Sequence, residues 1–392
     1  MSYTSMLLES MHHTREKEII EELQDFHEKD YQFSSGHILG SMCSQPHPIA
    51  KKAYELFLET NIGDPGLFKG TREIEKRFIF FIQNLLNAPP TASGLTVSGG
   101  TEGNITAMWL AKQLSQNQEI IIPASAHFSF QKIATLMDMK LKPIPLTPSF
   151  QMDVSQIKKR ISTQTAAIVG IAGSTDLGVI DPTEEIGDIC RDENIYFHVD
   201  AAFGGFVIPF LEKIGYPNYK FDFTVDGVSS ISIDAHKMGF AAIPLGTLVV
   251  REKEWLEEIS VQSSCINSAK QAGILGTRSG GPVAAGYAIT RYLGLEGYQD
   301  VVKHCMDTTF YATEQFQQIG LSLVREPMLN VMCIRLKKPQ KVVTMLEQQG
   351  WKVNLIDHLS SIRIVCMPQI TREHIDAFVP VLKEVCSKAG EI

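Results

Sequence analysis

From about residue 71 the chain settles into a rhythm: short apolar runs, then loops, then amphipathic stretches. The apolar runs predict strands at GLTVSG (94–99), EIIIPA (119–124), AAIVGIAG (166–173), IYFHVDAA (195–202), SISIDA (230–235) and GTLVV (246–250). Those near 168, 197 and 231 are continuous and rich in Ile and Val, which suits strands buried on both faces by helices. In TREIEKRFIFFIQNLL, Ile74, Phe78, Phe81 and Leu85 fall at helical spacing, and TEGNITAMWLAKQL reads as another helix. Strand alternating with helix predicts an α/β fold around a mostly parallel sheet. Residues 15–30 read as a charged helix and 36–70 as an irregular segment rich in Gly and Pro. After about residue 300 the pattern changes to a helix near 300–318, LNVMCIRL, a helix at 340–350, SIRIVCMP and a last helix after Thr371. The expected organisation is therefore an N-terminal segment (1–70), a large α/β domain (71–299) and a smaller C-terminal α+β domain (300–392).

Composition narrows the partners. With 44% hydrophobic and 20% charged residues the chain can build a substantial core. The net charge of -8 and the lack of a Lys/Arg-rich run leave no electrostatic footprint for nucleic acid or for an anionic membrane. Seven scattered cysteines, with no CxxC pair, suggest neither a disulfide framework nor a zinc site. Reduced thiols fit a cytoplasmic setting. The stretch MSYTSMLLESMHHTREKE has no signal-peptide core, and no run approaches the roughly 18 apolar residues of a membrane span.

In open α/β sheets ligands bind beyond the carboxyl ends of the strands, so what each strand presents as it stops is informative. The first ends in SGGTEGN, where Gly99 and Gly100 allow a tight turn and Thr101 can cap a helix. That is an ordinary turn, or a phosphate site at a helix N-terminus. The second leads to SAHFSF; His127 is either a loop histidine or an imidazole stacked on a flat ligand. The third ends in GSTDLG, whose Ser174, Thr175 and Asp176 can serve a turn or aim a hydroxyl at a bound ring. The fourth ends in HVDAAFGG. Asp200 there calls for a cationic partner, and the small Ala201 and Ala202 let a planar ligand approach. The fifth ends in DAHKMG. Lys237 is a surface residue with a buried stem, or a partly desolvated amine able to form an imine, with His236 beside it. Jointly these ends offer a phosphate cradle, a stacking ring, a carboxylate and a nucleophilic amine, the set that pyridoxal 5'-phosphate requires.

SGGTEGN, AHFSF, HVDAAFGG and DAHKMG, in this order, resemble the group II pyridoxal-phosphate amino-acid decarboxylases of the aspartate-aminotransferase fold (fold type I). NIGDPGLFKGT (61–71), GSMCSQPHPI (40–49), LGTRSGG (275–281) and RIVCMP (363–368) resemble the archaeal branch that decarboxylates L-tyrosine or L-aspartate. The resemblance spans roughly residues 15–390. It implies that Lys237 holds the cofactor and Asp200 pairs with its pyridine nitrogen, with Ala202 and His127 on opposite ring faces. It implies phosphate contacts from Gly99, Gly100 and Thr101 with His236 nearby, Thr175 near the ring hydroxyl, and Arg363 on the substrate α-carboxylate. It also implies a homodimer with the active site at the interface, where Thr277 of GTR (276–278) reaches the partner's phosphate. The implied products are tyramine or β-alanine, for methanofuran or coenzyme A synthesis.

One departure concerns the final proton. Many relatives offer a tyrosine from a mobile loop after the lysine. Here ISVQSSCINSAKQAG (259–273) has none, and Cys265 lies about where it would be. His127 or the released Lys237 are the other candidate acids. A cysteine desulfurase or carrier-bound cysteine-forming enzyme using Cys265, and a non-catalytic module that merely holds the cofactor, are the competing readings.

Overall fold

The computed structural model describes residues 13–64, 66–262 and 270–392. Seven strands form the central sheet: β1 (Ser93–Val97), β2 (Glu119–Pro123), β3 (Lys140–Ile144), β4 (Thr165–Ile171), β5 (Tyr196–Asp200), β6 (Val228–Asp234) and β7 (Gly246–Val250). Their order is β1-β7-β6-β5-β4-β2-β3. Strands β3, β2, β4, β5 and β6 pair in parallel, and β7 runs antiparallel to both β1 and β6. The carboxyl ends of β1, β2, β4, β5 and β6 therefore share one edge.

Strands β4, β5 and β6 are buried throughout, as their unbroken apolar runs require when helices cover both faces. The helices Lys69–Leu85, Gly100–Ser115 and Thr183–Asp192 lie where the sequence alternates. Strand β3 has no counterpart among the expected strands. Its sequence, KLKPI, carries two lysines and a proline, and β3 pairs only with β2. An edge strand tolerates both, since one side of its backbone has no ladder to complete.

The later residues form a three-stranded antiparallel sheet, Val331–Arg335, Ser361–Val365 and Asn354–Ile356 in spatial order, with helices Pro339–Gln348 and Arg372–Ala389. The helix expected near 300–318 begins earlier, at Gly280, and continues to Gln318 with a kink at Gly294 (φ 57°). The division expected at residue 300 falls inside it. The segment before Lys69, expected to be irregular, holds a helix at Pro48–Leu56 that His47 caps and Pro48 opens, and its earlier part crosses between the two sheets. Leu39 N–H donates to Lys352 O (2.8 Å), Val365 N–H to Leu39 O (2.7 Å), and Ser44 N–H to His236 O (3.4 Å). The segment thus links the small sheet to the turn that carries Lys237.

Candidate active site

Where the five parallel-running strands stop, a cavity of about 350 Å³ opens. Gly99, Gly100, Thr101, His127, Thr175, Asp200, Ala202, His236 and Lys237 all line it. They come from five separate strand ends, brought together because each connection returns its strand to the same edge.

The glycine turn follows β1. Gly99 has φ 155° and ψ -178°, a region open to glycine and costly for residues with a Cβ. A Cβ on Gly99 would stand 3.0 Å from His236 Cε1, and one on Gly100 would stand 3.0 Å from the Ala202 Cβ. The backbone is bare here because side chains would fill the space. Helix Gly100–Ser115 starts at this point and aims its first N–H groups at the cavity edge, a place for an anion.

Asp200 ends β5 with both carboxylate oxygens engaged. Oδ1 accepts from Ala202 N–H (3.1 Å) and Oδ2 from the Asn104 side-chain amide (2.7 Å). The same amide group presents its oxygen to Ser232 Oγ (2.7 Å) and His198 Nε2 (3.0 Å), and His198 Nδ1 lies 2.8 Å from Ser230 Oγ. Burial pushes His198 down to about 4, so its ring is neutral at neutral pH. A neutral ring that donates from Nε2 to the Asn104 oxygen fixes the amide nitrogen toward Asp200.

On the opposite wall, His127 Nδ1 accepts from Ser129 N–H (3.2 Å), which leaves the ring proton on Nε2. Its ring leans on Phe128, centroids 4.0 Å apart. Burial lowers its pKa; Asp200 opposes that shift and Lys237 adds to it. His236 Nδ1 sits 2.8 Å from Leu245 O, tying the lysine turn to the start of β7. Lys237 Nζ lies 3.2 Å from Asp234 Oδ2.

Within GSTDLG the roles separate. Ser174 Oγ accepts from Val179 N–H (3.0 Å) and Asp176 faces His358 (3.3 Å), leaving Thr175 as the cavity residue. Arg363 does not line the cavity. It is buried one layer behind, donating to Thr175 O (2.6 Å) and Gly40 O (2.7 Å), and burial lowers its pKa. Thr277 is exposed and lies outside the cavity wall, and Cys265 falls outside the described residues. Among the described residues no group of three or more His, Cys, Asp or Glu is arranged to hold a metal.

Sequence reading missed Asn104 and Asp234 as wall residues, with Met42 and Phe128. Asn104 carried a weak signal, an amide one turn into the helix, next to the residues that form its buried face. Asp234 sat in plain view three residues before Lys237, but a strand-ending aspartate is common. The bare glycine turn, the buried carboxylate held by an oriented amide and the amine fit a flat, phosphorylated, cationic ring that carries a carbonyl.

A family model described as the pyridoxal-dependent decarboxylase conserved domain matches residues 72–337. A Pyrococcus horikoshii protein named L-aspartate/L-glutamate decarboxylase is 45% identical over 376 residues, 95% of this chain and 97% of the relative. A Methanococcus aeolicus protein named probable L-tyrosine/L-aspartate decarboxylase is 40% identical, covering 94% of this chain and 99% of the relative. Among solved structures, the sphingosine-1-phosphate lyase of Burkholderia pseudomallei superposes with a TM-score of 0.88 at 26% identity, covering 95% of this chain and 90% of that one. Glutamate decarboxylase of Lactobacillus brevis reaches 0.86 at 22% identity, over 95% and 92%, a likeness of fold. These neighbours place the mostly parallel sheet in fold type I, as the resemblance implied.

Proposed function

The chain belongs to the pyridoxal-dependent decarboxylases, and on that premise we propose that it removes the α-carboxylate of L-aspartate to give β-alanine, and of L-tyrosine to give tyramine. L-Aspartate is put first because it is the substrate shared by the names of both relatives described above. The observation that carries the reading is the convergence of Lys237, Asp200 and the bare Gly99–Gly100 turn on one cavity.

Pyridoxal 5'-phosphate, when bound, supplies the electron sink for the bond that breaks. The chain's residues supply the rest. Lys237 holds the cofactor by its amine, and Gly99, Gly100 and Thr101 receive the phosphate with His236 beside them. Asp200 keeps the ring nitrogen protonated, and Asn104 and His198 keep Asp200 a pure acceptor on that side. Ala202 and His127 bracket the ring, and Thr175 stands by its hydroxyl. Arg363 is the proposed receiver of the substrate α-carboxylate; its Nε is buried without a hydrogen-bond partner among the described residues. Orientation of that carboxylate selects which bond breaks. The neutral His127, with its proton on Nε2, is the proposed donor to Cα.

The working form is proposed to be a cytoplasmic homodimer in which Thr277 reaches the partner's phosphate. Support comes from a groove lined by Ile105, Trp109, Met137, Val261 and Ile274 beside the same loop, apolar surface that a second subunit would cover. β-Alanine would serve coenzyme A synthesis and tyramine methanofuran synthesis.

The test is a product assay on wild type and Lys237→Ala with L-aspartate, L-tyrosine, L-glutamate and L-cysteine, following CO2, amine, ammonia, aldehyde and sulfide. Equal CO2 and amine, lost in the variant, is the expected result and names the substrate. Aldehyde in place of amine, with the amino nitrogen retained on the cofactor, would place the fault in the returned proton. Sulfide without CO2, abolished by Cys265→Ser, would overturn the reading in favour of a desulfurase.

A further inference from the structure

Asp234 is buried at 2% exposure, ends β6 and lines the cavity, yet the family-level reading gives it nothing to do. One oxygen, Oδ2, meets Lys237 Nζ at 3.2 Å and His236 Nε2 at 3.7 Å. The other, Oδ1, is buried without any hydrogen-bond partner among the described residues. A native protein seldom leaves a carboxylate oxygen so placed without a ligand or a proton to account for it.

The surroundings say which. Asp234 lies beneath the glycine turn: a Cβ on Gly100 would stand 3.2 Å from Oδ2, and one on Gly99 would stand 3.9 Å from Oδ1. Across it, a Cβ on Gly246 would meet Oδ1 at 2.5 Å, so β7 closes that side with bare backbone. This carboxylate also acts to raise Cys43 and His127, in each case behind the larger effect of burial. Lys237 is the one lysine or arginine within ion-pair reach of Asp234 among the described residues, with the His236 ring beside it. Once Lys237 is bonded to the cofactor, an ionised Asp234 would have lost its ammonium partner and would lie under the phosphate cradle.

We propose that Asp234 is a catalytic carboxyl that stores the proton of Lys237. The ammonium of Lys237 passes one proton to Asp234. The freed amine bonds to the cofactor's carbonyl carbon. The carbonyl oxygen leaves as water with the two remaining amine hydrogens, and a carbon–nitrogen double bond is formed. The stored proton stays within the pair, shared between Asp234 and the new nitrogen, and a protonated Asp234 can donate to the phosphate above it. When the substrate amine displaces Lys237, the proton returns and Lys237 is held aside as an ammonium on Asp234. No proton is exchanged with solvent for this step.

This rests on the reading that Lys237 links to the cofactor, so the experiment checks both. Cofactor-free wild type and Asp234→Asn are loaded with pyridoxal 5'-phosphate, and proton release is counted by calorimetry in buffers of different ionisation enthalpy, from neutral to alkaline pH. Each is then reduced with borohydride and mapped by mass spectrometry. Asp234→Ser, which adds no volume, carries the same expectation and replaces the amide variant if that variant does not accumulate folded. The expected result is Lys237 labelled in both proteins, and about one more proton released per subunit by the variant at alkaline pH. The variant's visible absorption band should also titrate at lower pH than that of wild type. Equal proton counts and equal titrations with Lys237 labelled would overturn the proposal. An unlabelled Lys237 in wild type would overturn the underlying reading instead.

Discussion

At the scale of single residues, the site is a study in oriented polarity. Asn104 is the pivot: its amide nitrogen serves Asp200 while its oxygen takes hydrogen bonds from Ser232 and His198. Asn104→Ala would strip Asp200 Oδ2 of its amide donor and take from Ser232 and His198 the acceptor they share, though those two keep each other at 3.0 Å; a buried polar group left short costs about 1–3 kcal/mol. We expect the cofactor-free variant to lose about 1–3 kcal/mol by urea unfolding, and its cofactor dissociation constant to rise about tenfold by fluorescence titration. A shift in affinity with no loss of stability would show that the amide acts only on the cofactor. At this scale the sequence was generous with Lys237, Asp200 and the glycine pair, because each stands where an apolar strand stops. It was silent on His198 and Ser232. Both leave their strands on the face that helix Gly100–Ser115 covers, where they meet Asn104, and their pairing joins residues 34 positions apart.

At the scale of elements, one buried carboxyl pins a strand end to the site. Asp181, just before helix Thr183–Asp192, accepts Ile171 N–H at the end of β4 (2.8 Å) and Met152 N–H (2.7 Å). Burial pushes its pKa from 3.8 up to about 6, against those two hydrogen bonds. A pKa raised in the folded state means stability that is fully present below the unfolded value and lost as pH rises through the folded one. Asp181 should therefore cost the protein about 3 kcal/mol between about pH 3 and pH 7, a shift of about two units at 1.36 kcal/mol each. Urea unfolding across that range should show the decline in wild type, and Asp181→Asn should flatten it. A parallel decline in both would assign it to other groups. The elements themselves were legible wherever burial was complete: β4, β5 and β6 lie within two residues of their predicted bounds. Strand β3 and the early start of helix Gly280–Gln318 were not. The first is half-polar at an edge, and the second opens with GGPVAAG, whose glycines and proline read locally as a breaker.

For the whole molecule, the groove of Ile105, Trp109, Met137, Val261 and Ile274 is the surface on which the dimer proposal can be tested. Ile274→Asp would put a charge where a subunit is expected to pack. We expect sedimentation equilibrium to show wild type as a dimer and the variant shifted toward monomer, with weaker cofactor binding if Thr277 serves the neighbouring site. A variant that remains dimeric with unchanged affinity would move the interface elsewhere. Taken by itself, the sequence determined the strand-helix alternation, the parallel core and the chemical groups at five strand ends, because periodicity and abrupt changes of residue type are local properties. Tertiary structure alone decided that those ends face one cavity, that Asn104 and His198 stand behind Asp200, that Arg363 is tied to Thr175 and Gly40, and that Asp234 rather than solvent meets Lys237. Each of those facts depends on strand order and on contacts between distant segments, and no local pattern carries that information.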